Sequence, residues 1–216
     1  MISDIARQNM VASQLRTNRV TDERLLDAFA TVPRERFVPA GRGAVAYVDE
    51  DIEIGRGRFL MEPRVLGRLL QSLAPEPGSV ALVVGCGTGY SAAILAKLVE
   101  TVVAIESDTD LARHANAVLS DLGIDNVAIF NMPIVGGYPA QAPYDIILID
   151  GGVHEVPHAL VDQLSDGGRL AAVRRHGPAG QALLVVKSGG IASERVEFDA
   201  TVPVLPGFER PAAFVF

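Results

Sequence analysis

The 216-residue chain contains a single cysteine and no tryptophan. One cysteine excludes an internal disulfide framework and a thiolate-rich metal site, and it fits a reducing compartment. Basic residues are also few. Lys and Arg number 19 and Asp and Glu 26, so the formal charge is 19 − 26 = −7, with a pI near 5.1. Nucleic acids and anionic membranes are met by an excess of positive charge, so neither is expected as a partner. Long apolar runs are missing too. The longest candidates are broken by Lys97 and Glu100 or by Asp145 and Asp150, short of the roughly 18 residues that a membrane span needs. The opening Met1-Ile2-Ser3-Asp4 lacks the basic-then-apolar pattern of a secretory leader. These absences together point to a soluble cytoplasmic protein. What is present is 49% hydrophobic and 21% charged residues, the composition of a folded globular chain. A chain of this length buries roughly 70% of its unfolded surface.

The chain reads in two parts, 1–78 and 79–216. In the first, Ser3 to Arg16 is predicted helical, with Ile5, Val11, Ala12 and Leu15 as its apolar positions. Thr21 is the expected N-cap of a second helix, with Asp22 and Glu23 in its positive first turn and Leu25, Leu26 and Phe29 on its buried face. Pro33 ends that helix. Residues 38–62 are rich in turn formers and show no helical period. Pro63 opens a third helix, with Val65, Leu66, Leu69, Leu70 and Leu73 as its stripe and Pro75 as its stop.

From Ser79 onward, strands alternate with helices. Apolar runs at Val80–Val84, Val102–Ile105, Val127–Phe130, Ile146–Ile149 and Leu170–Val173 read as strands buried on both faces. Between them lie predicted helices at Ser91–Leu98, from the cap Asp108 to Gly123, and around Pro157–Leu164, with a Gly167-Gly168 turn before the last strand. This pattern gives an α/β fold with a mostly parallel sheet. Ala182–Val186, Arg195–Val202 and Ala212–Phe216 follow without helices and are expected to be antiparallel additions at one edge. Pro203, Pro206 and Pro211 are expected to shape the last loop.

The strand Ala81–Val84 runs into Gly85-Cys86-Gly87-Thr88-Gly89-Tyr90. Glycines there let a ligand approach the main chain, and an acidic residue about 20 positions on, at the end of the next strand, can bind a ribose diol. Glu106 stands in that place. The spacing G-x-G-x-G, with bulky Tyr90 where a dinucleotide turn has its third glycine, disfavours a pyrophosphate. It suits S-adenosylmethionine, which has no phosphate.

With these features in place, the chain resembles the protein L-isoaspartyl O-methyltransferases over most of its length. The resemblance is carried by Met10-Val11-Ala12 with Gln14-Leu15, and by Val32-Pro33-Arg34-Glu35-Arg36-Phe37-Val38-Pro39. It continues through Ala46-Tyr47, Asp49, Ile54-Gly55 and Gly57, then the glycine turn, Val103 to Glu106, Ala142-Pro143-Tyr144-Asp145 and Gly167-Gly168-Arg169-Leu170. It implies a class I S-adenosylmethionine-dependent methyltransferase (Rossmann-like) fold, with added N-terminal helices and acceptor segment in 1–78 and the methyltransferase core in 79–216. The implied reaction is methyl transfer to the α-carboxylate of isoaspartate in damaged proteins or peptides. The ester then closes to a succinimide, whose hydrolysis returns some normal aspartate. The implied cofactor contacts are Gly85, Cys86, Gly87, Gly89, Tyr90, Glu106, Ser107 and Asp150. The implied acceptor contacts are Gly57, Arg58, Phe59, Leu60 and Met61.

The chain departs from the family at both sites. The family's Gly-Gln-Thr-Ile-Ser-x-Pro segment is here Gly57-Arg58-Phe59-Leu60-Met61-Glu62-Pro63. Phe59 and Met61 replace hydroxyl residues and cannot hydrogen-bond a carboxylate. The family's Gly-Asp-Gly is Met132-Pro133-Ile134, and Val83 stands where an acidic residue precedes the turn. Two acidic cofactor contacts are lost, which weakens cofactor binding unless a residue such as Asp150 in the Ile149-Asp150-Gly151-Gly152 run compensates. Two alternatives therefore stand beside the family activity. One is a relative that binds partners as a scaffold without transfer. The other is an enzyme whose acid acceptor is held by Arg56, Arg58 and Arg64, each of which read singly is a solvated surface arginine. His154 and His158 share a metal-like spacing with no third ligand, so no metal is expected. Cys86 is expected to fill a tight turn rather than to react, and Asp108, Asp110 and Asp121 to form a cap and a solvated face.

Overall fold

The computed structural model describes residues 2–209. A seven-stranded sheet has the order β5-β4-β3-β6-β7-β8-β9. Its strands are β3 (Val80–Val84), β4 (Thr101–Glu106), β5 (Val127–Asn131), β6 (Tyr144–Val153), β7 (Leu164–His176), β8 (Ala179–Ser188) and β9 (Ile191–Asp199). The pairs from β5 to β7 are parallel, and β7-β8 and β8-β9 are antiparallel. The edge addition expected from the loss of helices is thus a meander. Ala212–Phe216 lies outside the described residues. Strand side chains alternate between two cores. Ala81 and Val83 join one, Leu82 and Val84 the other, as a period of two requires. The larger core also takes in the helices of residues 1–78, so the two parts share one interior.

The helices are α1 (Ile2–Met10), α2 (Glu23–Thr31), α3 (Pro63–Leu73), α4 (Tyr90–Leu95), α5 (Thr109–Asp121) and α6 (His158–Asp162). All five apolar positions expected on α3 are buried, as are Leu25, Leu26 and Phe29 on α2. Asp108 caps α5 through the N–H groups of Asp110 and Leu111. No helix among the described residues is long and apolar enough to cross a membrane.

Several local expectations are corrected. The first helix passes into a π turn at Val11–Leu15, and its buried face is Met10, Val11 and Leu15, while Ile5 is 63% exposed and Ala12 is exposed. Asp22, not Thr21, caps α2, accepting from the N–H of Arg24 and Leu25. Thr21 is held instead by its N–H on Gln71 Oε1 at 2.6 Å. β5 is an edge strand with half-buried and exposed residues, not one buried on both faces. β9 stops at Asp199, and Gly167-Gly168 lies within β7, where the register with β6 shifts. Residues 38–62, without a period, contain an antiparallel hairpin, β1 (Ile52–Gly55) and β2 (Arg58–Leu60), which forms its own two-stranded sheet. That hairpin lies against the C-terminal ends of β3 and β4, where parallel sheets of this kind bind their ligands.

Candidate functional site

The glycine turn is built by main-chain conformation. Gly85 and Gly87 have φ of 74° and 54°, values that side-chain-bearing residues rarely adopt. The N–H groups of Gly85 and Cys86 both reach Ile105 O, closing the turn onto β4. Thr88 Oγ1 donates to Phe37 O at 2.6 Å and ties the turn to the N-terminal part. Cys86 is buried, and burial pushes its thiol far above the ordinary range, so it fills the turn as expected. Tyr90 is also fully buried, but its ring points into the N-terminal helices, edge-on to Phe29 and Phe37 and under the Arg34 guanidinium at 4.9 Å. Its side chain therefore cements the two halves and is not presented to a ligand.

Glu106 ends β4 with no exposed surface. Its carboxylate accepts from Gly87 N at 2.7 Å and Asp108 N at 3.0 Å, and from the exposed Ser107 hydroxyl at 3.4 Å. The fourth donor is Arg58 on β2, whose Nη1 lies 2.6 Å from Glu106 Oε1 and whose Nη2 donates to Gly85 O at 2.5 Å. Arg58 is only 3% exposed. The expectation of a surface arginine, or one clamping an acceptor, is corrected here: a carboxylate 48 positions away draws the guanidinium into the turn. Arg56 and Arg64 do stay at the surface, paired with Asp108 and Asp110 and with Glu62 and Asp49.

Leu205 and Ile54 complete the filling. A Cβ placed on Gly85 would lie 2.9 Å from Arg58 Nη2 and 3.1 Å from Leu205 Cδ1. One on Gly151 would lie 2.5 Å from Leu205 Cγ, and one on Gly87 2.7 Å from Ile54 Cδ1. Leu205 is seated by its own N–H on Gly152 O at 2.8 Å, while Gly152 N–H reaches Pro203 O at the same distance. A small cavity beside the turn measures about 10 Å³ and touches Asp51, Phe59, Met61, Asp150 and Leu205. That holds about one water, against several hundred Å³ for a cofactor-sized pocket. With Arg58, Leu205 and Ile54 in these places, S-adenosylmethionine reaches the turn only after side chains over it move.

The acceptor segment lies beside this space. Arg34, fully buried, donates to Ala46 O at 2.7 Å and to Met61 O at 2.8 Å, fixing the segment's path. Gly57, Phe59 and Met61 line the small cavity together with Asp150. Leu60 is buried in the main core instead. Asp150 accepts from Ser91 Oγ at 2.5 Å, and burial raises its carboxyl to about 6. Asp51, which accepts from Glu62 N–H, is also raised to about 6 by burial. Ile134, in the run that replaces the family's acidic contact, is buried in the second core, while Pro133 is exposed. His154 Nδ1 pairs with Arg175 O. No group of three or more His, Cys, Asp or Glu among the described residues is arranged to hold a metal. Sequence reading missed Asp51, Ser91, Ile54 and Leu205. Only the acidic run Asp49-Glu50-Asp51 offered a signal, since Ile54 and Leu205 look like any apolar residue.

Comparison with known proteins agrees across sequence and fold. The family model for protein-L-isoaspartate(D-aspartate) O-methyltransferase (PCMT) matches residues 6–202. Protein-L-isoaspartate O-methyltransferase 2 of Anaeromyxobacter sp. (strain Fw109-5) is 38% identical over 93% of this chain and 82% of its own. The enzyme of that name from Methylorubrum populi is 38% identical over 95% of this chain and 98% of its own. Among solved structures, a protein-L-isoaspartate O-methyltransferase superposes with a TM-score of 0.82 at 24% identity, covering 93% of this chain and 66% of its own. A Plasmodium falciparum chain described under the same activity, solved in complex with S-adenosyl-L-homocysteine, gives 0.77 at 22% identity, over 92% and 97%. These two show the same class I methyltransferase architecture. On the match over residues 6–202 and the identity to its relatives, this chain belongs to the protein-L-isoaspartate(D-aspartate) O-methyltransferase family.

Proposed function

We propose that the chain methylates the carboxylate of isoaspartyl residues in damaged proteins, with S-adenosylmethionine as the donor. The family match over residues 6–202 carries this reading, because it takes in both the acceptor segment and the glycine turn. In this division of labour residues 1–78 supply the acceptor side and 79–216 the cofactor side. The turn Gly85–Gly89 and Glu106 are the cofactor residues, Asp150 an auxiliary one, and Gly57, Phe59 and Met61 the acceptor wall. The acceptor carboxylate, with a pKa near 4, is ionised at neutral pH and needs no base. What the chain must supply is alignment and dryness, and Phe59 and Met61 supply dryness rather than hydrogen bonds. Neither nucleic acid nor a membrane belongs to this reading, and it places the protein in the cytoplasm.

The test is methyl incorporation into an isoaspartyl peptide and its aspartyl control. Incorporation into the isoaspartyl peptide alone is expected, and equal incorporation overturns the assignment. The filled glycine turn favours a second reading, a family member that binds partners without transfer, which measurable turnover on any acceptor rejects. The arginine-held acceptor loses its central residue, because Arg58 is engaged by Glu106.

A further inference from the structure

We infer that Arg58 is an internal antagonist of the cofactor: it occupies the ribose place on Glu106, and an adenosyl ligand binds only when the β1-β2 hairpin withdraws it. The inference rests on the methyltransferase reading for the identity of the ligand. Four observations carry it.

The first is chemical equivalence. A ribose diol binds a carboxylate by donating hydroxyl hydrogens. Arg58 Nη1 already donates to Glu106 Oε1 at 2.6 Å. Both cannot use that oxygen's approach at once. The second is space. Arg58 Nη2 sits on Gly85 O at 2.5 Å, on the main-chain surface that a glycine turn keeps bare for a ligand.

The third is incomplete satisfaction. Arg58 Nε is buried and has no hydrogen-bond partner. A buried donor without an acceptor is a liability in the closed form, so the guanidinium regains hydration on leaving. Glu106 does not become an orphan when this happens, because Gly87 and Asp108 still donate to it and the diol replaces Arg58. The exchange therefore trades one set of donors for another.

The fourth is the separateness of the hairpin. β1 and β2 pair only with each other. Their tip turns through three successive positive φ values, at Gly55 (110°), which ends β1, and at Arg56 (53°) and Gly57 (70°) in the connection. The tip is held to the start of α5 by the exposed pairs of Arg56 with Asp108 and Asp110, which solvent screens. Leu205 differs, since main-chain hydrogen bonds to Gly152 fix it. The hairpin is thus the part that can move without breaking the main sheet, at the cost of loosening Ile52, Ile54 and Leu60 from the core.

When a ligand binds only the open form, its apparent affinity falls by the fraction open. The experiment is titration calorimetry of the full chain with S-adenosylhomocysteine, comparing wild type with R58Q, whose shorter uncharged side chain cannot span Glu106 and Gly85 O together. R58Q is expected to bind at least tenfold tighter. Should R58Q not fold, R58M keeps the apolar reach without the charge and answers the same question. Equal or weaker binding by the folded variant overturns the inference, and so does an absence of binding to either protein up to millimolar ligand. Failure of the enzymatic reading has a separate signature: tighter ligand binding by R58Q with no methyl transfer to isoaspartyl peptide from either protein. Turnover by wild type with unchanged affinity in R58Q sinks the inference alone.

Discussion

Replacing Glu106 with alanine destabilises the protein by about 3–5 kcal/mol, the range for removing one partner of a buried ion pair. The loss exceeds that from replacing Arg58. Without Glu106, the Arg58 guanidinium keeps only Gly85 O as an acceptor, and the N–H groups of Gly87 and Asp108 also lose their carboxylate. Without Arg58, Glu106 still accepts from both of those N–H groups. The expected order of destabilisation is therefore E106A above R58M, with R58M still destabilising because it leaves the buried Glu106 carboxylate without its counter-charge. At roughly 2–4 °C per kcal/mol for a chain of this size, E106A lowers the melting temperature by roughly 6–20 °C. Thermal unfolding of the two variants at neutral pH measures it. If R58M proves as damaging as E106A, the pair is held for stability and not as an exchangeable contact.

The same pair marks the boundary of what the sequence makes legible. The parallel sheet is visible because buried strands such as Val80–Val84 are unbroken apolar runs and helices such as α3 have a five-residue stripe. The glycine turn and Glu106 are visible because their spacing follows from the geometry of one β-α-β unit. Arg58 is not. It sits on a three-residue strand, too short for any period, and its burial depends on a partner 48 residues away. Leu205 is equally hidden: its place follows from its main-chain N–H on Gly152 O, a bond that every residue type except proline can make. Tyr90 shows the opposite error. Its position in the turn suggests a ligand contact, but aromatic packing with Phe29 and Phe37 draws its ring the other way. Local pattern fixes the cradle, whereas its contents are decided by contacts between distant segments.

Asp150 gives the protein an opposite pH dependence from that of an ordinary paired carboxylate. It is 8% exposed, and burial raises it from 3.8 to about 6 against the opposing effects of the Ser91 hydrogen bond and the charges of Arg58 and Arg34. Glu106 adds negative charge nearby and works with burial. The folded state thus holds this proton to higher pH than the unfolded chain does. Asp150's contribution is most favourable below about pH 4 and is lost as the pH rises through 6. The full swing is roughly 3 kcal/mol at 1.36 kcal/mol per pH unit. Asparagine at this position keeps an acceptor for Ser91 and cannot ionise. D150N is therefore expected to be more stable than wild type at pH 7.5, by up to about 3 kcal/mol, with the two curves converging toward pH 4. Asp51 shifts in the same direction, so a residual slope of that sign persists in D150N. Denaturant unfolding across pH 4–8 reads both proteins. A difference between them that stays constant with pH shows that Asp150 is not the titrating group, and a wild type that gains stability from pH 5 to 7 relative to D150N rejects the raised carboxyl outright.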